Sequence, residues 1–350
     1  MQLETWIVVD DGEHNAFTDM LFWRDYYWLI YVSSPSHFSS KKSRLVLLRS
    51  KDAHSWQEIH RFSGTEQEGS KRVWRDIRDP KLGLVKDQLF VYALLNKQFD
   101  PQPYKTIVTS SKNGEDWAPF EDVTPIGWLM GRPTTQDGLT WYAPAHRVDQ
   151  GTAALFRSTD GANWTLHSTI FEGKAEHADE TAIHFLSTGQ LVAVTRLEAG
   201  SSLFGSEQAS TLISMAAPAY TSWDESARSA ITRLDGPVLF SANQQLYAVG
   251  RYQPQVKAPY QGQGSAFSQK RTALFLVTEK GRGLVHLTDL PSAGDTSYAG
   301  VAVKDEKVLI SYYTNDPRTD YPWIIGMLRP TRIQMTEIQI ANLKRQEDDK

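Results

Sequence analysis

Asp79-Pro80-Lys81-Leu82-Gly83-Leu84, turning at Lys86-Asp87 and returning through an apolar run, is one of six copies of a local pattern in a chain of 350 residues. Another copy reads Glu180-Thr181-Ala182-Ile183-His184-Phe185 and turns at Thr188-Gly189. Each opens on a small or polar residue, alternates apolar positions and reverses at a polar pair, as a β-hairpin with a buried face does. The copies begin near Phe17, Asp79, Arg132, Glu180, Gly236 and Tyr298; anchored at 18, 80, 133, 181, 237 and 299, they recur every 62, 53, 48, 56 and 62 residues. A second hairpin follows each, opening at residues 44–49, 106–109, 153–157, 210–215, 272–277 and 323–328. Four strands per repeat predict an all-β, six-bladed β-propeller of four-stranded antiparallel blades. Residues 6–9 read as a further strand that pairs with the last blade, since an open ring would leave two sheet edges bare. The repeats fill residues 1–343 as one propeller domain, and residues 344–350 form a charged tail.

With 40% hydrophobic and 22% charged residues, the composition is that of a globular chain, and its 39 aromatic residues supply wedges for packing between sheets. A net charge of -4 argues against nucleic acid or an anionic membrane as partner. The absence of cysteine excludes disulfides, thiolate metal sites and cysteine nucleophiles. No apolar run is long enough to span a membrane and no secretory signal is visible, so the expected location is cytoplasmic. The nine histidines show no metal-ligand spacing, and neither a metal nor another cofactor is expected. The stretches 199–206 and 254–270 read as long rim loops, the second a possible lid.

Three outer turns share a signature: Ser50-Lys51-Asp52-Ala53-His54-Ser55-Trp56, Ser111-Lys112-Asn113-Gly114-Glu115-Asp116-Trp117 and Ser158-Thr159-Asp160-Gly161-Ala162-Asn163-Trp164. An Asx side chain can bond the backbone ahead of it, Gly accepts positive φ and Trp fills the space between sheets. The motif resembles the Asp-box of sialidases, one residue shorter than usual, and implies a fold device at the blade periphery.

Polar residues at the starts of the inner strands place chemistry at one channel end: His14, Asp19, Arg78, Asp79, Arg132, Asp179, Glu180, Asp235, Asp295 and Tyr298. Converging arginines suit an anionic group, and carboxylates beside them suit proton transfer. Here too the chain resembles sialidases. His177-Ala178-Asp179-Glu180-Thr181, with Arg196 one hairpin later, is similar to the sialidase strand that carries a glutamate partner and a substrate arginine. Gly294-Asp295-Thr296-Ser297-Tyr298 resembles the strand that carries the tyrosine nucleophile. The resemblance implies a glycoside hydrolase acting with retention on a small or terminal glycosyl unit, an acidic sugar among the options. Tyr298 would be nucleophile and Glu180 its base. Arg196 and Arg251, with Arg78 or Arg132, would hold an anionic group, Asp19 and Asp235 would border it, and Asp79 or His37 would act as acid.

The set departs from the family in two places. His14-Asn15-Ala16-Phe17-Thr18 stands where an arginine is expected, and the loop 33–40 lacks the acid carboxylate. A carbohydrate-binding or scaffold propeller without catalysis is therefore the alternative, and a sugar lyase a third reading. Plainer roles also exist: Asp79 as a turn cap paired with Arg78, His37 as a solvent-facing loop residue, Arg132 and Arg251 as ion pairs between blades.

Overall fold

The computed structural model describes residues 1–96, 105–123, 126–147, 149–200, 203–229, 232–257, 260–278 and 283–343. The tail at 344–350 lies outside them, as do 201–202 and 258–259 of the two rim stretches. Six antiparallel sheets follow one another around a ring. Blade 1 comprises His14–Trp23, Tyr26–Ser34, Arg44–Ser50 and Gln57–Ser63; blade 2, Asp76–Val85, Gln88–Asn96, Lys105–Ser111 and Glu121–Asp122. Blade 3 has an interrupted inner strand, Leu129–Met130 and Thr134–Thr135, then Trp141–Arg147, Thr152–Ser158 and Thr165–Glu172. Blade 4 is His177–Phe185, Leu191–Glu198, Ser210–Ala216 and Asp224–Ser229; blade 5, Asp235–Ala242, Gln245–Tyr252, Arg271–Val277 and Leu284–Asp289. Blade 6 takes Thr296–Lys304, Lys307–Thr314 and Arg332–Gln339 from the end of the chain and Glu4–Val9 from its start, so the expected closing strand is present.

The core lies between neighbouring blades, where the inner halves of the strands are apolar on both faces. At the periphery the three Ser-x-Asx turns form one geometry. The Asx Oδ1 accepts backbone N–H groups two and three residues on, at 2.7–3.0 Å, and each Trp Nε1 donates to the carbonyl three residues before it. Gly114 lies against the Trp28 ring of blade 1, where a Cβ would stand 2.1 Å from the indole, and its φ is +80°. Glycine is required there on both counts.

Two readings need correction. Residues 323–328 alternate like a strand, but Trp323–Gly326 is a helical turn introduced by Pro322, whose missing N–H cannot serve a ladder; Arg332–Gln339 supplies the third strand instead. The 254–270 stretch does reach the surface, at Val256, Tyr260 and Phe267, but it is tied down on its inner side. Gln253, Gln263, Ser265, Ser268 and Lys270 are buried, and Ser206, Gln263, Ala266 and Ser268 are tied by backbone bonds that join blade 4 to the helical turn of blade 6.

Inner strands break register at corresponding points: between Ala16 and Asp19, Arg78 and Lys81, Ala178 and Thr181, Asp235 and Val238, and Ser297 and Gly300. Phe17, Asp79, Gly236 and Tyr298 head four of these bulges with φ of 53°, 49°, 56° and 44°. A bulge interrupts the alternation of side chains and re-aims one of them. Repeated around a ring, it gives five of the six blades one residue to direct at the channel end.

Candidate active site

The channel holds a cavity of about 390 Å³, a size typical of small-molecule sites. Its polar lining includes Asp19, Asp79, Lys81, Arg132, His146, Glu180 and Tyr298, and its apolar wall includes Met130, Ile183, Val238 and Leu239. Tyr298 and Glu180 meet there. The phenol donates to Glu180 Oε1, while Glu180 Oε2 accepts from Arg196 at 2.5 Å and from the Gly236 N–H at 3.3 Å. A Cβ on Gly236 would stand 2.8 Å from the Tyr298 ring, so that bulge must be glycine for the tyrosine to reach its partner. Burial, then Arg196 acting in opposition and Asp179 reinforcing it, leaves the Glu180 carboxyl above its ordinary range. Burial and the Glu180 charge hold the Tyr298 phenol well above its own. The resting proton therefore sits on the tyrosine, beside a strengthened base.

Arg196 and Arg251 sit beside this pair, but they are not on the cavity wall. Arg196 contacts Glu180, Glu198, Asp179 and Asp235. Arg251 contacts Asp235 at 3.1 Å and Asp295 at 3.4 Å, and Arg233 forks onto Asp235 with bonds of 2.8 and 3.0 Å. Asp235 thus lies among three guanidinium groups, which hold its carboxyl far below the usual range against the opposing effect of burial. Trp323 covers one of them, its ring 4.2 Å from the Arg251 guanidinium carbon. Buried Lys270 lies 5.4 Å from the same ring and donates to Gln253 at 2.9 Å; burial keeps its ammonium well below its ordinary pKa.

Arg78 is taken up by Asp76 and by the His37 carbonyl. Asp19 and Arg132 pair across the channel. Arg132 also donates to the Met20 carbonyl at 2.9 Å, while Asp19 accepts from the Leu82 N–H of blade 2 at 2.7 Å. They close one part of the cavity as a cross-brace. Asp79 does line the cavity, where it pairs with Lys81 at 2.5 Å rather than with Arg78. His37 is not solvent-facing. Its side chain is 14% exposed and its Nδ1 lies 2.7 Å from Asp295 Oδ2, away from the cavity wall.

His146 is one of the cavity residues that sequence reasoning left unassigned. It comes from the second strand of blade 3, and its Nε2 lies 3.0 Å from Asp179. Burial opposes its charge, but Asp179, Glu180 and Asp79 outweigh that and raise its pKa above 6.5. No local motif marks it; only the packing of blade 3 against blade 4 brings residue 146 beside 179 and 180.

No family model matches the chain and no curated protein matches it. Among solved structures, a protein of unknown function from Dyadobacter fermentans is 16% identical with a TM-score of 0.68, over 96% of this chain and 98% of that one. The phage phi92 endosialidase is 12% identical with a TM-score of 0.69, over 99% and 70%. Trypanosoma rangeli sialidase in complex with sialic acid is 13% identical with a TM-score of 0.65; this chain covers 54% of its length and is itself 93% covered. The same sialidase has been solved with 2,3-difluorosialic acid as a covalent intermediate. At these identities what is shared is the fold: a six-bladed propeller of the sialidase type.

Proposed function

We propose that the chain is a retaining glycoside hydrolase in which Tyr298 is the nucleophile, Glu180 its base and His146 the acid. The hydrogen bond from the Tyr298 phenol to Glu180 carries this reading. A phenol attacks a sugar poorly unless its proton has somewhere to go. As Tyr298 Oη bonds to the anomeric carbon, Glu180 takes the phenolic proton and His146 protonates the departing glycosidic oxygen. Water then attacks the same carbon and gives a proton to His146, while Tyr298 leaves and recovers its proton from Glu180. Two inversions give net retention. The trypanosomal enzyme solved as a covalent intermediate supports the likeness of route.

The substrate we infer is a neutral glycosyl unit rather than sialic acid. The arginines suited to a substrate carboxylate already surround Asp235, a carboxylate of the chain itself. On the cavity wall Lys81 pairs with Asp79, Arg132 with Asp19 and His146 with Asp179, leaving no unmatched cation among the described residues for an acidic sugar. Aryl glycosides of neutral sugars in both anomeric series, with a sialoside beside them, test this. A neutral glycoside hydrolysed with retention by wild type and not by Tyr298→Phe or Glu180→Gln is expected. Turnover of the sialoside alone would overturn the substrate assignment. Neutral-sugar binding without any turnover would favour the non-catalytic propeller.

A further inference from the structure

A second cluster lies at the seam where blade 1 meets blade 6. His14 Nε2 and His37 Nδ1 stand 3.1 and 2.7 Å from the same oxygen, Asp295 Oδ2, and the three atoms lie within 4.8 Å of one another. The protonation of this group is constrained. His14 Nδ1 lies 2.8 Å from the Arg329 carbonyl, which only accepts, so Nδ1 carries a proton. His14 is 1% exposed, and its Nε2 makes no hydrogen bond. In the neutral ring that nitrogen directs a lone pair at a carboxylate oxygen already engaged by His37. Either a second proton or a bound cation must lie between them.

The surroundings favour the cation. Asp295 Oδ1 accepts from Trp323 Nε1 at 2.8 Å, from the Tyr313 phenol at 3.0 Å and from Arg251 at 3.4 Å, which fixes the carboxylate and leaves Oδ2 as a single donor. The bond from His14 Nδ1 to a carbonyl is the outer contact that orients a metal-ligating imidazole. Ligand atoms on a tetrahedral metal with bonds of ~2.1 Å stand about 3.4 Å apart, so binding would open the present separations of 3.1 and 2.7 Å by several tenths of an ångström. His37 itself is anchored by its N–H to the Met327 carbonyl at 3.0 Å and by its own carbonyl to Arg78 at 2.9 Å.

We propose that His14, His37 and Asp295 bind a divalent cation of the zinc type, which ties the 35–38 loop of blade 1 to the first residues of blade 6. Two imidazoles and one carboxylate suit Zn2+ or Co2+ better than Mg2+ or Ca2+. The site is independent of whether the chain hydrolyses glycosides. Its test is metal content after dialysis against Zn2+ and then metal-free buffer, with the visible spectrum of the Co2+ form and the melting temperature with and without Zn2+. Wild type should retain about one Zn2+ per chain, show Co2+ d–d absorption and melt higher with Zn2+; His37→Ala should lose all three responses. Equal melting temperatures of the two proteins in EDTA establish that the variant is folded; should it not fold, Asp295→Asn is measured the same way. A wild type that retains no Zn2+ and shows no Zn2+-dependent melting shift overturns the proposal and leaves a protonated His14 as the answer. Equal retention by a folded His37→Ala protein also overturns it.

Discussion

The outer turns and the channel end are both repeated features of the same blades, yet they use repetition in opposite ways. At the rim, Ser50, Ser111 and Ser158 begin turns that make the same bonds with nearly the same residues. At the channel end, five inner strands place a bulge at the same register and fill it with Phe17, Asp79, Asp179, Gly236 and Tyr298. Where blades share one task, the residues repeat; where they build one asymmetric site, only the backbone does, in five of the six. Chemistry in this molecule is therefore marked by departures from the repeat.

That contrast can be broken from either side. Tyr298→Phe should lower hydrolysis to background while leaving the melting temperature near wild type, measured by steady-state kinetics and calorimetry. His146→Gln should cost roughly 10²–10⁴-fold in kcat. In the proposed mechanism the acid limb of the wild-type pH profile should belong to Glu180, which acts ionised and whose pKa is raised above its ordinary 4.5, and the alkaline limb to His146, which acts protonated and whose pKa is raised above 6.5. His146→Gln should erase the alkaline limb alone. Trp164→Ala at the rim should cost about 3–5 kcal/mol of stability with unchanged kcat per folded molecule, seen in urea titrations. Asp52 and Asp160 are held at about 2 by backbone and side-chain bonds, against burial in the case of Asp160. A group with a depressed folded pKa stabilises above its unfolded value, so their contribution should fade as pH drops from about 4 toward 2, and Asp160→Ala should flatten that slope. Smallest of all, Ala53 occupies the glycine position at φ +62°, and Ala53→Gly should gain up to about 1 kcal/mol.

How far the sequence could be read follows the same division. The anchors at 18, 80, 237 and 299 coincide with the second residue of a bulge, because a break in strand alternation is local and leaves its mark in the pattern. Tyr298 with Glu180 was legible through resemblance. The enclosure of Arg196 and Arg251 was not: it depends on Asp235 at a bulge and on Trp323 folding over Arg251, in a segment whose alternation imitates a strand. His146 was illegible for a related reason, since its partner Asp179 belongs to the next blade. The seam cluster joins residues 14, 37 and 295, a spacing no motif covers.

Blade 6 has one more consequence. Residues 4–9 pair with 332–339, and Thr18 bonds the Tyr298 carbonyl at 2.9 Å across a separation of 280 positions. On a ribosome the first strand must wait, edge exposed, until nearly the whole chain has emerged. Tyr298 cannot settle beside Phe17 before then. Ring closure and the meeting of Tyr298 with Glu180 are thus a single late event in synthesis, and a nascent chain stalled before residue 296 would hold most of the blades without that pair.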